Sequence, residues 1–443
     1  MSAQPSSQSE MSGMRALARE IFLHALAESS TGKAFDRHIE YGRGILRVGP
    51  DLYDLSNYNR VPVVSLGKAA HQMAEALAAK VGLGLEGIVA WVADPPVQVP
   101  GFRYFRGGHP TPNAESVRAG EAILKLLGAL DERSLAIHMI SGGGSAIVEK
   151  PISDTISLED LITTYRELVL SGAPIAEINA VRKHLSATKG GRLAQAAAPA
   201  QQVSILVSDV PDNAPDSLAS GPTMADSTTV EDCYRIISKY GLLQKFPAPV
   251  RALIEQRSLE ETPKSDDPAF ARSRWSTILS NETAVKAAAE QAKAAGFSIE
   301  VDNRCDDWDY RRGADYLLEG LWQLRQKNSR VCLISGGEVT VRVEGKSGQG
   351  GRNQQFALYL APKIAGGNVC VLSAGTDGID GHSPAAGAIV DGSTMNRARD
   401  ASLDPITALD GFDAYPLFKA LGDTIETGPT GTNVRDVRLL MAW

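Results

Sequence analysis

Short apolar runs alternate with longer amphipathic segments along the chain, a rhythm that predicts strands separated by helices. MRALAREIFLHALA, Met14–Ala27, carries apolar residues at helical spacing and predicts an opening helix. VPVVSL at Val61–Leu66 reads as a buried strand that meets Gly67 and Lys68, after which AAHQMAEALAAK continues as a strong helix. The runs at Ile88–Val92, Ala136–Ile140 and Val203–Val207 read as further strands, with helical patterns such as ESVRAGEAILKLLGAL between most of them. Such alternation predicts an α/β fold with a largely parallel sheet and helices on its faces. The polar segment Gln256–Arg274, with Pro263 and Pro268 among acids, is the expected linker. It separates an N-terminal domain, 14–255, from a C-terminal domain, 275–443. That second half restarts with STILS, a helix through NETAVKAAAEQAKAAG, the strand-like FSIEV and a helix over Tyr316–Lys327. Two apolar runs follow, VCLI at Val331–Ile334 and VCVLSA ending at Ala374.

Length agrees with two domains, since 443 residues exceed what one hydrophobic core usually serves. With 43% hydrophobic and 22% charged residues the composition is that of a globular protein. A net charge of -7 and the lack of any Lys/Arg block exclude an electrostatic footprint for nucleic acid, which leaves small molecules as the expected partners. The four cysteines, Cys233, Cys305, Cys332 and Cys370, lie far apart and form neither a disulfide frame nor a CxxC metal motif. Residues 1–13 read as a disordered tail without the features of a secretory signal. No run of about eighteen apolar residues occurs, so the expected protein has no membrane partner and a cytoplasmic address.

The candidate chemistry sits where glycine is dense. Ser335–Gln355, SGGEVTVRVEGKSGQGGRNQQ, and GTDGIDG at Gly375–Gly381 follow the two apolar runs, as ligand loops at the carboxyl ends of strands do. Their Lys346, Arg352, Asp377 and Asp380 suit an anionic ligand with a metal. SGGGS at Ser141–Ser145 lets backbone amides approach phosphate. Gly67-Lys68 stands at a strand-to-helix junction, a favourable place for an anion. NAVRKHLSATKGGRL, from Asn179, concentrates Arg182, Lys183, His184, Lys189 and Arg192, with helical spacing bringing Arg182 and Lys189 near one face. SDVPDNAPDSLASGPT, Ser208–Thr223, supplies Asp209, Asp212 and Asp216 in a proline-stiffened loop from which one or two carboxylates could hold magnesium beside phosphate. Arg352 offers a planar fork for a carboxylate or a transferring phosphoryl group. Two motifs are rejected. Gly82, Gly84 and Gly87 spell GxGxxG between a helix and a strand, the reverse of a dinucleotide fingerprint. Gly345, Lys346 and Ser347 look like the end of a P-loop, but Thr340 stands where its first glycine belongs and VTVRV alternates as a strand. No hydrolytic triad or zinc pair is suggested, and the remaining parts are those of phosphoryl transfer.

These segments resemble the glycerate 2-kinase family, whose C-terminal half is called the MOFRL domain and whose members are often labelled hydroxypyruvate reductase. The matches run through GKAA at Gly67, HPTPNAES at His109, SGGGSA at Ser141, NAVRKHLS at Asn179, SDVP at Ser208, ASGPT at Ala219, SGGE at Ser335, GGRNQ at Gly350, GTDGIDG at Gly375 and TGPTGTNV at Thr427. The resemblance implies a Rossmann-like N-terminal α/β/α domain and a smaller C-terminal α/β domain, with a cleft between them that closes over substrate. It implies transfer of the γ-phosphoryl of ATP to the 2-hydroxyl of D-glycerate, with Mg2+, giving 2-phosphoglycerate. Lys68 and Arg352 match the family's catalytic residues. Carried onto this chain, Ser141, Gly142, Gly143, Lys183 and Asp377 are expected to bind substrate; Gly144, Ser145, Gly336, Gly337 and Asn353 the nucleotide; and Asp209 and Glu338 the metal. The chain departs from the family at VPDNAP, where VPGDD is usual, and at GGRNQQ, where GGRNQE is usual; Gln355 is assigned no catalytic role. A reductase using NAD(P)H is the alternative, and it lacks a well-placed fingerprint. A nucleotide-binding protein without turnover leaves Lys68 and Arg352 without a task. A homodimer is left open by the sequence.

Overall fold

The computed structural model describes residues 7–82, 84–211, 213–343, 345–346 and 348–443; the expectations for residues 1–6, Asp212 and Ser347 lie outside these. The chain forms two compact units, Thr31–Ile278 and a second made of Met1–Ser30 with Leu279–Trp443.

The N-terminal unit, Thr31–Ile278, opens with an antiparallel three-stranded sheet that the apolar pattern did not reveal: β1 (Ile39–Gly42), β2 (Ile45–Val48) and β3 (Asp51–Asp54). Its main sheet contains β4 (Pro62–Leu66), β5 (Glu86–Trp91), β6 (Phe102–Arg106), β7 (Leu135–Ser141), β8 (Gln201–Val207) and β9 (Ser273–Leu279), in the order β6-β5-β4-β7-β8-β9. The ladders from β6 to β8 are all parallel. β4 and β7 are buried along their whole length, as strands covered on both faces are. Val64, Leu66, Ile123, Leu127, Ile140 and Leu206 join one core. Successive strands step outward from β4 on one side and from β7 on the other. The β4/β7 boundary is therefore a topological switch point, where open α/β sheets leave a crevice at the carboxyl ends of their strands. A second core, unforeseen, holds Leu161, Leu168, Val181, Ile236 and Phe246 within a layer of helices.

In the C-terminal unit, β10 (Ser298–Val301), β11 (Val331–Gly337), β12 (Val369–Gly375), β13 (Gly387–Asp391), β14 (Thr424–Ile425) and β15 (Asp436–Ala442) form a sheet in the order β10-β11-β15-β12-β13-β14. Only β10 and β11 are parallel, so the expectation of a largely parallel sheet holds for the N-terminal unit alone. β11 and β12 nevertheless run the same way because both flank the oppositely directed β15. Their glycine-rich loops leave one edge together, with Asp436 in register between Gly337 and Gly375.

The expected boundaries shift. Helix is present from Ser7 to Glu28, so the tail does not extend to residue 13. This helix belongs to the C-terminal unit rather than to a domain 14–255: it packs on helix Asn281–Ala294 and on β12, and Arg15 pairs with Asp391 (2.7 Å) and Asp423. Residues 256–274 are not a free linker. Thr262 is buried and donates to Asp226 Oδ2 (2.9 Å), Asp226 N donates to Pro263 O (3.1 Å), and STILS continues β9. VTVRV forms no strand; only Thr340 makes a bridge, to Asp309. The helix expected over 316–327 begins at Tyr310, capped by Asp309.

Candidate active site

At the switch point the loops after β4 and β7 are stitched together. Gly67 has φ 113°, and a Cβ there would lie 2.3 Å from Ser141 Oγ, so only glycine lets the two turns touch. Lys68 N donates to Gly142 O (2.8 Å), and Ala69 N donates to Ser141 Oγ (3.0 Å). The following helix starts at Ala70, which places Lys68 in the turn rather than in the helix's first turn. A Cβ on Gly143 would stand 3.0 Å from both Lys68 Cγ and His109 Cδ2. The lysine stem thus lies across the glycine. Its ammonium makes no ion pair or hydrogen bond among the described residues. His109 stays below the usual histidine range through burial and the nearby Lys68 charge. The Asp209 carboxylate presses on the same loop from β8: a Cβ on Gly142 would meet Asp209 Oδ2 at 1.8 Å. Ser145 Oγ lies 2.7 Å from Ser220 Oγ.

A cavity of about 490 Å³ opens beside this turn, with His109, Gly143, Ser145, Tyr165, Arg182 and Lys189 on its walls. Lys189 follows the helix Ile175–His184 instead of belonging to it, yet the fold brings it to the same cavity as Arg182. Glu149, a residue the sequence reading passed over, is buried and accepts from Lys189 Nζ (2.5 Å), Tyr165 OH (3.0 Å) and Ser186 Oγ. Burial lowers the Lys189 pKa, opposed by Glu149. Lys183 is not brought to the cavity. It is buried between Asp216 and Asp226, 3.1 Å from each, which makes it a structural cation rather than the expected substrate ligand. His184 likewise bonds Ala180 O and Glu261.

In the C-terminal unit Arg352 opens the helix Arg352–Leu360 and is gripped by two carboxylates. Its Nε and Nη2 donate to Asp436 Oδ2 (2.7 Å) and Oδ1 (3.0 Å), and Nη2 lies 2.8 Å from Glu338 Oε1. Burial would lower the Arg352 pKa, but Asp436 and Glu338 raise it. Asp436 also meets Arg438 Nη2 (3.2 Å), whose guanidinium reaches Gly336 O and Gly337 O. Burial works to raise the Asp436 pKa, yet Arg352 and Arg438 hold it below the usual range. Asp436 and Arg438 were missed, although two charges at i and i+2 in the apolar run DVRLLMA mark one face of a strand.

Other expected ligands of this unit are committed internally. Gly336 N donates to Asn303 Oδ1 (2.7 Å) and Gly337 N to Asn281 Oδ1 (2.9 Å), so these amides are satisfied by side chains rather than held open for a nucleotide. Asn353 accepts from Ser373 Oγ (2.6 Å) and donates to Asp380 (3.4 Å). Buried Asp380 accepts from the backbone amides of Asn353 and Gln354 and so caps their helix from a distant loop. Asp377 Oδ1 accepts from Ile379 N (3.1 Å) within its turn. Gln355 is buried and donates to Leu409 O. Among the described residues no group of three or more His, Cys, Asp or Glu side chains gathers to hold an ion. Magnesium needs only one or two carboxylates with phosphate oxygens and waters. Asp209 is a carboxylate beside the crevice turn, and Glu338 is engaged by Arg352.

Two family profiles match the chain: the domain of unknown function DUF4147 over residues 17–255, and the MOFRL family over 331–436. A relative from Agrobacterium vitis, provisionally named a hydroxypyruvate reductase, is 38% identical over 86% of this chain and 87% of its own. The D-glycerate 2-kinase of Thermotoga maritima is 36% identical over 86% of this chain and 90% of its own. A crystal structure of glycerate kinase from Thermotoga maritima superposes with a TM-score of 0.84 at 33% identity, covering 98% of this chain and 100% of that one. With its characteristic segments in order and both domains matched, the chain belongs to the glycerate 2-kinase family of DUF4147–MOFRL proteins.

Proposed function

We propose that this protein is a D-glycerate 2-kinase that transfers the γ-phosphoryl of ATP to the 2-hydroxyl of glycerate, with magnesium, giving 2-phosphoglycerate and ADP. The observation that carries this reading is Lys68, a cation with no ion pair among the described residues, lying across Gly143 at the carboxyl edge of β4 and β7, with the Asp209 carboxylate on the same glycine turn. Phosphoryl transfer asks a protein chiefly to position reactants and neutralise charge on transferring oxygens. Lys68 supplies a cation, and Asp209 a carboxylate that would help hold magnesium, whose charge would offset that of the phosphates. Arg352 is assigned to the developing phosphoryl charge. Asp436 and Glu338 hold its guanidinium in one orientation. A purified sample given ATP, magnesium and D-glycerate should release ADP only when glycerate is present. Hydroxypyruvate-dependent oxidation of NADH, with no glycerate-dependent ADP, would overturn the reading.

A further inference from the structure

We infer that Arg182 is the oxyanion-binding residue of the cavity in the N-terminal unit, taking a carboxylate or phosphate group of a bound substrate on its guanidinium. The inference deepens the kinase reading and rests on it for the identity of that substrate. Lys189, a buried cation of the cavity wall, is already neutralised by Glu149 at 2.5 Å. Arg182 feels the same Glu149 charge at longer range, but among the described residues its side chain makes no ion pair or hydrogen bond of its own, and its Nε is buried without a partner. Its guanidinium carbon lies over the Tyr165 ring, 4.9 Å from the centroid, a contact that uses none of its N–H donors. Tyr165 is in turn held by the bond to Glu149, so the ring that supports Arg182 is itself anchored. A half-buried guanidinium with a buried, unmet donor is costly unless something satisfies it, and the groups that match its planar fork are carboxylate and phosphate. The cavity it faces also carries Gly143 and Ser145 of the turn crossed by Lys68. Both substrates of the proposed reaction carry such a group, the acid on the acceptor and the phosphates on the donor.

The test compares the full-length protein with Arg182→Met and Arg182→Lys, each checked for wild-type thermal unfolding. Kinetics are measured with D-glycerate and ATP varied separately, and calorimetric titrations use D-glycerate, ATP and inorganic phosphate. Loss of the fork should raise the KM of one substrate about ten- to hundredfold, the range for losing a hydrogen bond to a charged group. The kcat should change far less, and Arg182→Lys should recover part of the loss. A rise confined to glycerate identifies the acceptor carboxylate as the ligand; a rise confined to ATP identifies a donor phosphate. If the wild type shows no kinase activity, the function proposed above fails, and Arg182-dependent binding of any of the three titrants would still uphold the anion site. Unchanged KM values and unchanged binding of all three in a folded Arg182→Met variant would overturn the inference.

Discussion

Replacing Asp436 with Asn removes one negative charge from between two guanidinium groups and changes almost nothing in shape. Asp436 and Arg438 have no exposed side-chain surface, whereas the Arg352 side chain is 36% exposed. Arg352 keeps Glu338 and some water after the change, so its share of the loss is small after screening. Arg438 keeps only the carbonyls of Gly336 and Gly337. Stranding a buried charge without its partner costs about 3–5 kcal/mol, and the two carbonyls place the expected loss near the lower end, about 3 kcal/mol. Because Asp436 pairs in register with Gly337 and Gly375, the effect should concentrate in β11, β12 and β15. Native-state hydrogen exchange of peptides from these strands reads it directly. Arg352→Met should cost less, since Asp436 then still has Arg438. The native pKa of Asp436 lies below its unfolded value, so its stabilisation is present above about pH 4 and is lost as pH falls through the native value. The gap between wild type and Asp436→Asn should therefore be steady near neutrality and narrow in acid. A loss below about 1 kcal/mol, or a larger cost for Arg352→Met, would refute a buried charge triad held together by Asp436.

Arg352→Ala and Lys68→Ala should each lower kcat by roughly a thousandfold or more, the scale of a transition-state cation in phosphoryl transfer, and Lys68→Ala should leave the unfolding midpoint unmoved because its ammonium has no partner to lose among the described residues. His138, wholly buried in β7, is pushed down to about 4 by burial, opposed by the neighbouring Gln202 side chain. The unfolded chain takes up a proton near pH 6.5 that the native protein refuses, so stability should fall by up to about 3 kcal/mol as pH drops from 6.5 to 4, and His138→Leu should flatten that slope in urea titrations. Asp380 has the opposite sign: burial raises it to about 6, against the amides of Gln354 and Asn353. Its native state holds a proton that the unfolded state releases near pH 4, so this contribution is greatest below pH 4 and declines as pH rises through 6; NMR of the Asp380 carboxyl carbon should show a midpoint near 6. Gly142→Ala should lower activity at least about tenfold, since a methyl group would occupy the space of the Asp209 carboxylate; unaltered kinetics would remove Asp209 from the site.

Local patterning was enough for much of this protein. Runs of apolar residues long enough only for strands, each followed by a helical pattern, determine β4, β5, β7 and β8 and their parallel pairing, because strands buried on both faces leave no alternation to misread. Glycine clusters at Gly67, Gly142 and Gly143 marked the switch point, since no other residue lets those turns approach one another. Burial and pairing are different in kind, because they depend on partners far away in sequence. Lys183 and Lys189 look alike in NAVRKHLSATKGG, yet one is neutralised by Asp216 and Asp226 and the other by Glu149, while Arg182, just ahead of both, makes no direct ion pair among the described residues and shares only the more distant charge of Glu149. The same holds for β15, whose last-strand residues enter the middle of a sheet begun more than a hundred positions earlier and bring Asp436 to Arg352 across 84 residues. Sequence alone determined the buried strands of the N-terminal parallel sheet, the longer amphipathic helices and the glycine turns, because those follow from contacts within a few residues; β1–β3 and the conformation of VTVRV did not. Which charges are neutralised and which are left to meet a ligand was decided only by tertiary structure, because the energy of a buried charge is set by whatever long-range neighbours replace its water.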